Sequence, residues 1–278
     1  MDFGKLSDIS QVDFTLPAES KENKRILPKI PFAQPEIYVG CPVWSQKEWI
    51  GKIYPQNAQS KDFLHYYAQQ FNTIELNTTH YRIPSQSTIE QWKEQVGDDF
   101  RFSPKFPQPI SHEKMLLNSQ NLVDEFCQAI RGLGKNLGIS FLQLPPYFET
   151  RHLNNLEHFL AHFPKDIPLA IEFRHASWFK DKCFEQAARV LEKHQISTVI
   201  TDVAGRRDVL HQRLSTPKVL VRFVGNALHP TDYTRIDAWV EQICSWLQEG
   251  LETLYFFLHE PNNTLAPNIA LYFIEKLI

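Results

Sequence analysis

Two glutamates stand inside short apolar runs where a carboxylate has no ordinary reason to be. Glu75 lies in "TIELN" (73–77) and Glu172 in "LAIEF" (169–173). An unpaired buried charge is heavily penalised, so each requires partner cations or a chemical task. Asn77 lies two residues past Glu75 and shares its face of an extended chain. Arg174 and His175 follow Glu172 directly. Other apolar runs break into polarity in the same way. Lys105 closes "FRFSPK" (100–105), Gln143 stands in "ISFLQL" (139–144), and Asp202 ends "TVITD" (198–202). Arg222 stands in "VLVRF" (219–223), and His259 ends "LYFFLH" (254–259). These side chains offer three chemistries. Glu75, Glu172, Asp202, His175 and His259 are candidates for proton transfer, since histidine titrates near neutrality and carboxylates can be tuned. The same carboxylates could hold a divalent metal. Lys105, Arg174 and Arg222 could grip a carboxylate or phosphate, the arginines through bidentate forks.

The elements that must position them alternate. "IYVGC" (37–41) opens the series, and the seven runs that follow complete eight strand candidates. Segments of helical period lie between them: 61–71, 86–96, 121–133, 153–163, 183–194, 236–250 and 266–278. Ser85 and Ser87 are N-cap candidates for the second of these, with Glu90 nearby. Strand–helix alternation implies parallel βαβ units, and eight of them closing on themselves make an α/β (β/α)8 TIM barrel. An open doubly wound sheet is the alternative. No G-x-G-x-x-G or P-loop pattern supports a nucleotide fold. Residues 1–36, spaced by Pro17, Pro28, Pro31 and Pro35, read as an irregular N-terminal arm wrapped on a single barrel domain, 37–278.

In such a barrel the site is expected where the strands end, and that is where the apolar pattern breaks. Glu75 is therefore expected to face a pocket shared with Lys105, Arg174 and Arg222. His175 and His259 are the favoured acid–base histidines, with His112 in the loop after the third strand next. His80 neighbours the pocket but has the wrong parity to point into it. Trp44, Tyr81, Tyr147 and Trp178 fall in loops on the same face, and Trp44 and Trp178 are expected to line the site. Trp49 and Tyr54 read as packing. Arg206 and Arg207 read as a solvated loop.

Composition bounds the rest. The 278 residues carry a net charge of −3, which supplies no global basic field for nucleic acid. The four cysteines are scattered with no C-x-x-C pair, so a zinc ribbon is not expected and the thiols read as reduced. No signal peptide or 18-residue apolar run is evident, so the expectation is a cytoplasmic chain with no membrane partner.

Seven segments in order carry a family resemblance: "IYVGCPVWSQKEW", "FNTIELNTTHYRIPS", "DDFRFSPKFPQPISH", "LQLPP", "AIEFRHASW", "VLVRFVGN" and "FFLHEPNNTLAP". From about residue 37 to 278 the chain resembles the YecE-like family, catalogued as domain of unknown function 72. The resemblance implies a TIM barrel and no assigned reaction. The leading reading is an enzyme on a small anionic or phosphorylated substrate, a sugar-like one among the options, an isomerase or hydrolase working by acid–base or metal-assisted chemistry. Lys105, Arg174 and Arg222, with Trp44, Asn77, Tyr81, His112, Gln143 and Trp178, would bind the ligand. Two other readings stay open: an endonuclease-IV-like, metal-dependent barrel acting on DNA, and a non-catalytic anion-binding barrel.

Overall fold

The computed structural model describes residues 4–180 and 182–277. Eight strands run β1 (Glu36–Cys41), β2 (Thr73–Leu76), β3 (Arg101–Pro104), β4 (Ser140–Gln143), β5 (Leu169–Glu172), β6 (Ser197–Asp202), β7 (Lys218–Val224) and β8 (Thr253–His259). All neighbours pair in parallel, in the order β3-β2-β1-β8-β7-β6-β5-β4. The two outer members, β3 and β4, meet through single bridges, Phe102 with Leu137 and Lys105 with Phe141. Gly138 N–H donates to Phe102 C=O at 2.8 Å and Phe106 N–H to Phe141 C=O at 2.9 Å. The sheet thus closes into the expected TIM barrel.

The helices are α1 (Asn23–Ile26), α2 (Phe63–Ala68), α3 (Gln86–Glu94), α4 (Gln120–Arg131), α5 (Leu153–Ala161), α6 (Cys183–His194), α7 (Pro230–Glu249) and α8 (Ala266–Leu277). The last expected helical residue, Ile278, lies outside the described residues. Ser85 caps α3, its hydroxyl accepting from Thr88 N–H at 3.2 Å, and Ser87 lies inside the helix. α7 starts at Pro230, a turn and a half before its apolar period begins. Proline at the first helical position loses no hydrogen bond, and the His229 ring accepts from Thr231 N–H at 3.3 Å. Among the described residues no helix is long and apolar enough to cross a membrane.

Strand parity divides the interior into two layers. Tyr38, Phe141, Ala170, Val199, Leu220, Tyr255 and Phe257 point inward and fill the barrel. Tyr38 and Tyr255 stack at 4.7 Å within it. The outward residues, such as Ile74, Phe102, Ile171 and Phe256, pack under the helices. One more step of the same inward parity, above this apolar plug, places Glu75, Gln143, Glu172, Thr201, Arg222 and His259 at the C-terminal mouth.

The arm runs the length of the molecule. Gly205 N–H donates to Gly4 C=O at 2.9 Å at the mouth. The Phe14 ring lies 4.9 Å from the Arg235 guanidinium, and Arg207 donates to Phe14 C=O and Thr15 C=O, both at 3.1 Å. Asn23 is buried against Gln212 and Leu214. Pro28 and Ile30 reach the C-terminal end of α7, where Gly250 has φ +102° and leaves no room for a Cβ.

Candidate active site at the barrel mouth

Arg222 on β7 is the hub. Its Nε and Nη2 donate to the two oxygens of Glu75, each at 2.9 Å, and its Nη1 donates to Glu172 Oε2 at 2.9 Å. Glu75 also accepts from Asn77 Nδ2 and bonds His259 Nε2, both at 2.9 Å. Glu172 also accepts from Arg174 Nε at 2.8 Å and Gln143 Nε2 at 2.7 Å. Lys105 Nζ donates to Gln143 Oε1 at 3.0 Å, which extends the chain across the β3–β4 closure. Eight expected residues are therefore brought into one bonded network: Glu75, Asn77, Lys105, Gln143, Glu172, Arg174, Arg222 and His259.

Burial and charge compete at each of these groups, and charge wins at the carboxylates. Burial alone would raise Glu75, but Arg222 and His259 hold it well below the ordinary carboxylate range. Burial likewise opposes ionisation of Glu172, yet Arg174 and Arg222 bring it down to about 2. Both glutamates are thus fixed anions that orient arginine and imidazole, and neither is poised to trade protons near neutrality. Lys105 falls to about 8, first by burial and then by the Arg222 charge, so most of it is charged at pH 7. Two histidines stand beside it. His80 Nδ1–H donates to Phe106 C=O at 2.7 Å, and its ring lies 5.2 Å from that of His112. Burial and the Lys105 charge push both down to about 4, which keeps them neutral. His112 Nδ1 lies 2.8 Å from Ser111 Oγ.

Asp202 does not join the network. Val199 and Thr201 take the inward positions of β6, so Asp202 turns outward. There it accepts from Arg235 Nη2 at 2.7 Å and Trp239 Nε1 at 2.8 Å, and pairs with Arg207. Burial raises it and the two arginines more than offset this. Its task is to anchor α7 and the loop that holds the arm. Arg207 is accordingly a structural partner and not a solvated side chain, while Arg206 pairs with Asp208 at 2.8 Å. The aromatic loop residues also separate. Trp178 is only 1 % exposed and donates to Phe148 C=O at 2.6 Å, so it is packing. Trp44 is half-buried, edge-on to Trp92 at 6.1 Å. Tyr81 and Tyr147 are exposed at the rim. His175 spends Nδ1 on Ser177, accepting its N–H at 3.1 Å to cap the next turn.

A cavity of about 590 Å³ opens over Arg174, Thr201, Arg222 and His259. Its far wall holds two groups that sequence reasoning missed. One is the leading arm, Gly4 to Ser7 and Ile9. The other is Glu260, one residue beyond His259, buried at 5 % exposure. The signal for Glu260 was present in "LHEPNN", a further acid at a strand end. No pattern in the arm marks where it docks.

The donor set does not make a metal centre. The oxygens of Glu75 and Glu172 are taken by guanidinium, imidazole and amide groups, and Asp202 faces the helix layer. Among the described residues no group of three or more His, Cys, Asp or Glu side chains is placed to hold a metal ion. Cys41, buried beneath the first strand end, is pushed up by burial and is no nucleophile.

The fold and this site can be set beside known proteins. Over 253 residues the chain is 33% identical to the UPF0759 protein YecE of Escherichia coli (strain K12), covering 84% of this chain and 90% of that one. It is 26% identical over 200 residues to the UPF0759 protein YunF of Bacillus subtilis (strain 168), covering 68% and 70%. A crystal structure of a DUF72 family protein from Thermotoga maritima superposes with a TM-score of 0.69 at 25% identity, covering 87% of this chain and 99% of that one. One from Enterococcus faecalis gives 0.71 at 21% identity, covering 88% and 99%, and shows likeness of fold alone. The family described as "Protein of unknown function DUF72" matches residues 38–278, which leaves the arm ahead of the matched span. The chain therefore belongs to the DUF72, or YecE-like, family.

Proposed function

We propose that the chain is an acid–base enzyme acting on a small anionic ligand bound at the barrel mouth. The observation that carries this reading is the placement of a carboxylate-held imidazole beside two arginines in one cavity. His259 bonds Glu75 through Nε2. That bond fixes the ring and leaves Nδ1 as the nitrogen that exchanges a proton with the ligand. Arg174 and Arg222 line the same cavity, with Lys105 in the network below them. The guanidinium groups of Arg174 and Arg222 and the Lys105 ammonium match an anionic group in charge and hydrogen-bond donors. The glutamates hold the arginine planes in register, which lowers the ordering cost of binding.

Calorimetric titration with sulfate, phosphate and phosphorylated sugars tests the reading. Wild type is expected to bind at least one of them. Arg174→Ala should weaken that binding by about tenfold or more, the scale of a charge-assisted hydrogen bond. His259→Asn should keep the ligand and lose turnover. Binding unaffected by Arg174→Ala would sink the reading. Cleavage of an abasic duplex that requires added metal would replace it with a nucleic-acid role.

A further inference from the structure

Glu260 is a carboxyl group with one end tethered and the other unmatched. Its Oε2 accepts from Ala227 N–H at 2.8 Å, and Leu228 N–H also points to the carboxylate. Oε1 is buried with no hydrogen-bond partner among the described residues. The loop that tethers it is unusual. Ala227 (φ 60°) and Leu228 (φ 58°) are consecutive non-glycine residues in the left-handed region. That conformation is rarely adopted by L side chains and persists only where the surroundings fix it. Here it turns two successive N–H groups onto one carboxylate. Gly225, just before the loop, lies so close that a Cβ would sit 2.2 Å from Oε1, so only glycine leaves the carboxyl its space.

This construction borders the cavity that also holds Arg174, Arg222 and His259. A buried, tethered carboxyl with an unmatched oxygen, on the wall of a ligand-sized cavity, is suited to exchange a proton with a molecule bound there. We infer that Glu260 is a second proton-exchanging residue of this site, its carboxyl giving a proton to a hydroxyl or carbonyl oxygen of a ligand whose anionic group rests on the arginines. In the step, the carboxyl passes its proton to that ligand oxygen and becomes a carboxylate. The Ala227 and Leu228 N–H groups then hold the new negative charge, and water entering the cavity returns the proton. The inference rests on the anion-binding reading above and adds to it the ligand's second feature, a neutral oxygen beside its anionic group.

The surroundings favour the protonated form near neutrality. Burial and then the Asp232 charge push Glu260 up to about 7, while the two N–H groups and Arg235 pull the other way. Asp232 is itself kept occupied by Asn226 and Arg235. Among the described residues, the remaining charged or titratable groups on the cavity wall are Lys5 from the arm, Arg174 from the β5 loop, Arg222 from β7, His229 from the loop before α7, and His259.

The test is a carbon-13 titration of protein labelled at the glutamate carboxyl carbon, with sulfate as the ligand, because its charge is constant across neutral pH. One resonance is expected to titrate near neutrality and to be missing from Glu260→Gln, an isostere that keeps the acceptor for Ala227. Saturating sulfate should raise its midpoint by about one unit, the effect of a nearby like charge. Absence of a neutral-range resonance overturns the inference, as does a midpoint that ignores sulfate whose binding calorimetry confirms. In both cases the anion-binding reading survives. If sulfate, phosphate and phosphorylated sugars all fail to bind, that reading falls and takes the inference with it.

Discussion

At the scale of single residues, Arg222 decides whether two buried carboxylates are assets or liabilities. It is 6 % exposed and serves both Glu75 and Glu172. Removing one partner of a buried ion pair costs about 3–5 kcal/mol because the other charge stays behind uncompensated. Arg222→Met is expected to lose that much at pH 7 in urea unfolding. Its deficit should shrink as pH falls, since the abandoned carboxylates then titrate upward and shed their charge. A deficit independent of pH would mean the loss is packing alone. Residue identity made most of this network legible in the sequence. A glutamate inside "TIEL" demanded a cation, and strand ends supplied them. Asp202 was misjudged although its own run held the correction: Val199 and Thr201 share the inward parity that Asp202 lacks. Glu260 was passed over because it stands one residue past the strand, where parity no longer says which way a side chain faces.

The arm belongs to the scale of elements. Its leading segment is held to the mouth by Gly205, whose N–H donates to Gly4 C=O. A Cβ at Gly205 would lie 2.8 Å from that carbonyl oxygen, so any larger residue forces the two backbones apart. Gly205→Val is expected to release residues 4–13 while the Arg207 and Arg235 grip on Phe14 keeps the rest seated. Limited proteolysis should then cut ahead of Phe14 several times faster than in wild type, with thermal stability changed by only a few degrees. Equal cleavage rates would show that the arm does not depend on that approach. Such docking could not be read from the sequence. An irregular chain has no period, and its attachment depends on one absent methyl group and a ring lodged between guanidinium groups. The α7 helix makes the same point in reverse, because its first turn is fixed by Pro230 and the His229 cap and carries no apolar signal.

For the molecule as a whole, the response of stability to acid is set by opposed titrations. His80 and His112 are held down to about 4 when folded, against an ordinary value near 6.5. The unfolded chain therefore takes up protons first, and their contribution to stability is lost as pH falls from about 6.5 to 4. Glu260 acts in the other direction. Its folded value of about 7 exceeds the ordinary value, so the folded chain binds the extra proton and this group adds stability as pH falls from about 7 to 4.5. Glu260→Gln should accordingly be more stable than wild type above pH 8, by on the order of 1–3 kcal/mol, and should lose stability more steeply on acidification. Denaturant midpoints from pH 8 to pH 4.5 check both halves. The barrel itself was the most legible feature, since strand–helix alternation and right-handed parallel connection leave few other topologies.

The thin join between β3 and β4 gives this barrel a preferred place to breathe. Elsewhere neighbouring strands share runs of ladder bonds, whereas this join rests on bridges at Phe102 and Lys105. In deuterated solvent the amides of Phe106 and Gly138 should exchange ahead of those in β7 and β8. Lys105 sits on that join and its amine belongs to the network around Arg222. An anion that engages the network would clasp the two sides together. Occupancy of the mouth would then be readable as slowed exchange at two backbone amides, with no need to know the reaction.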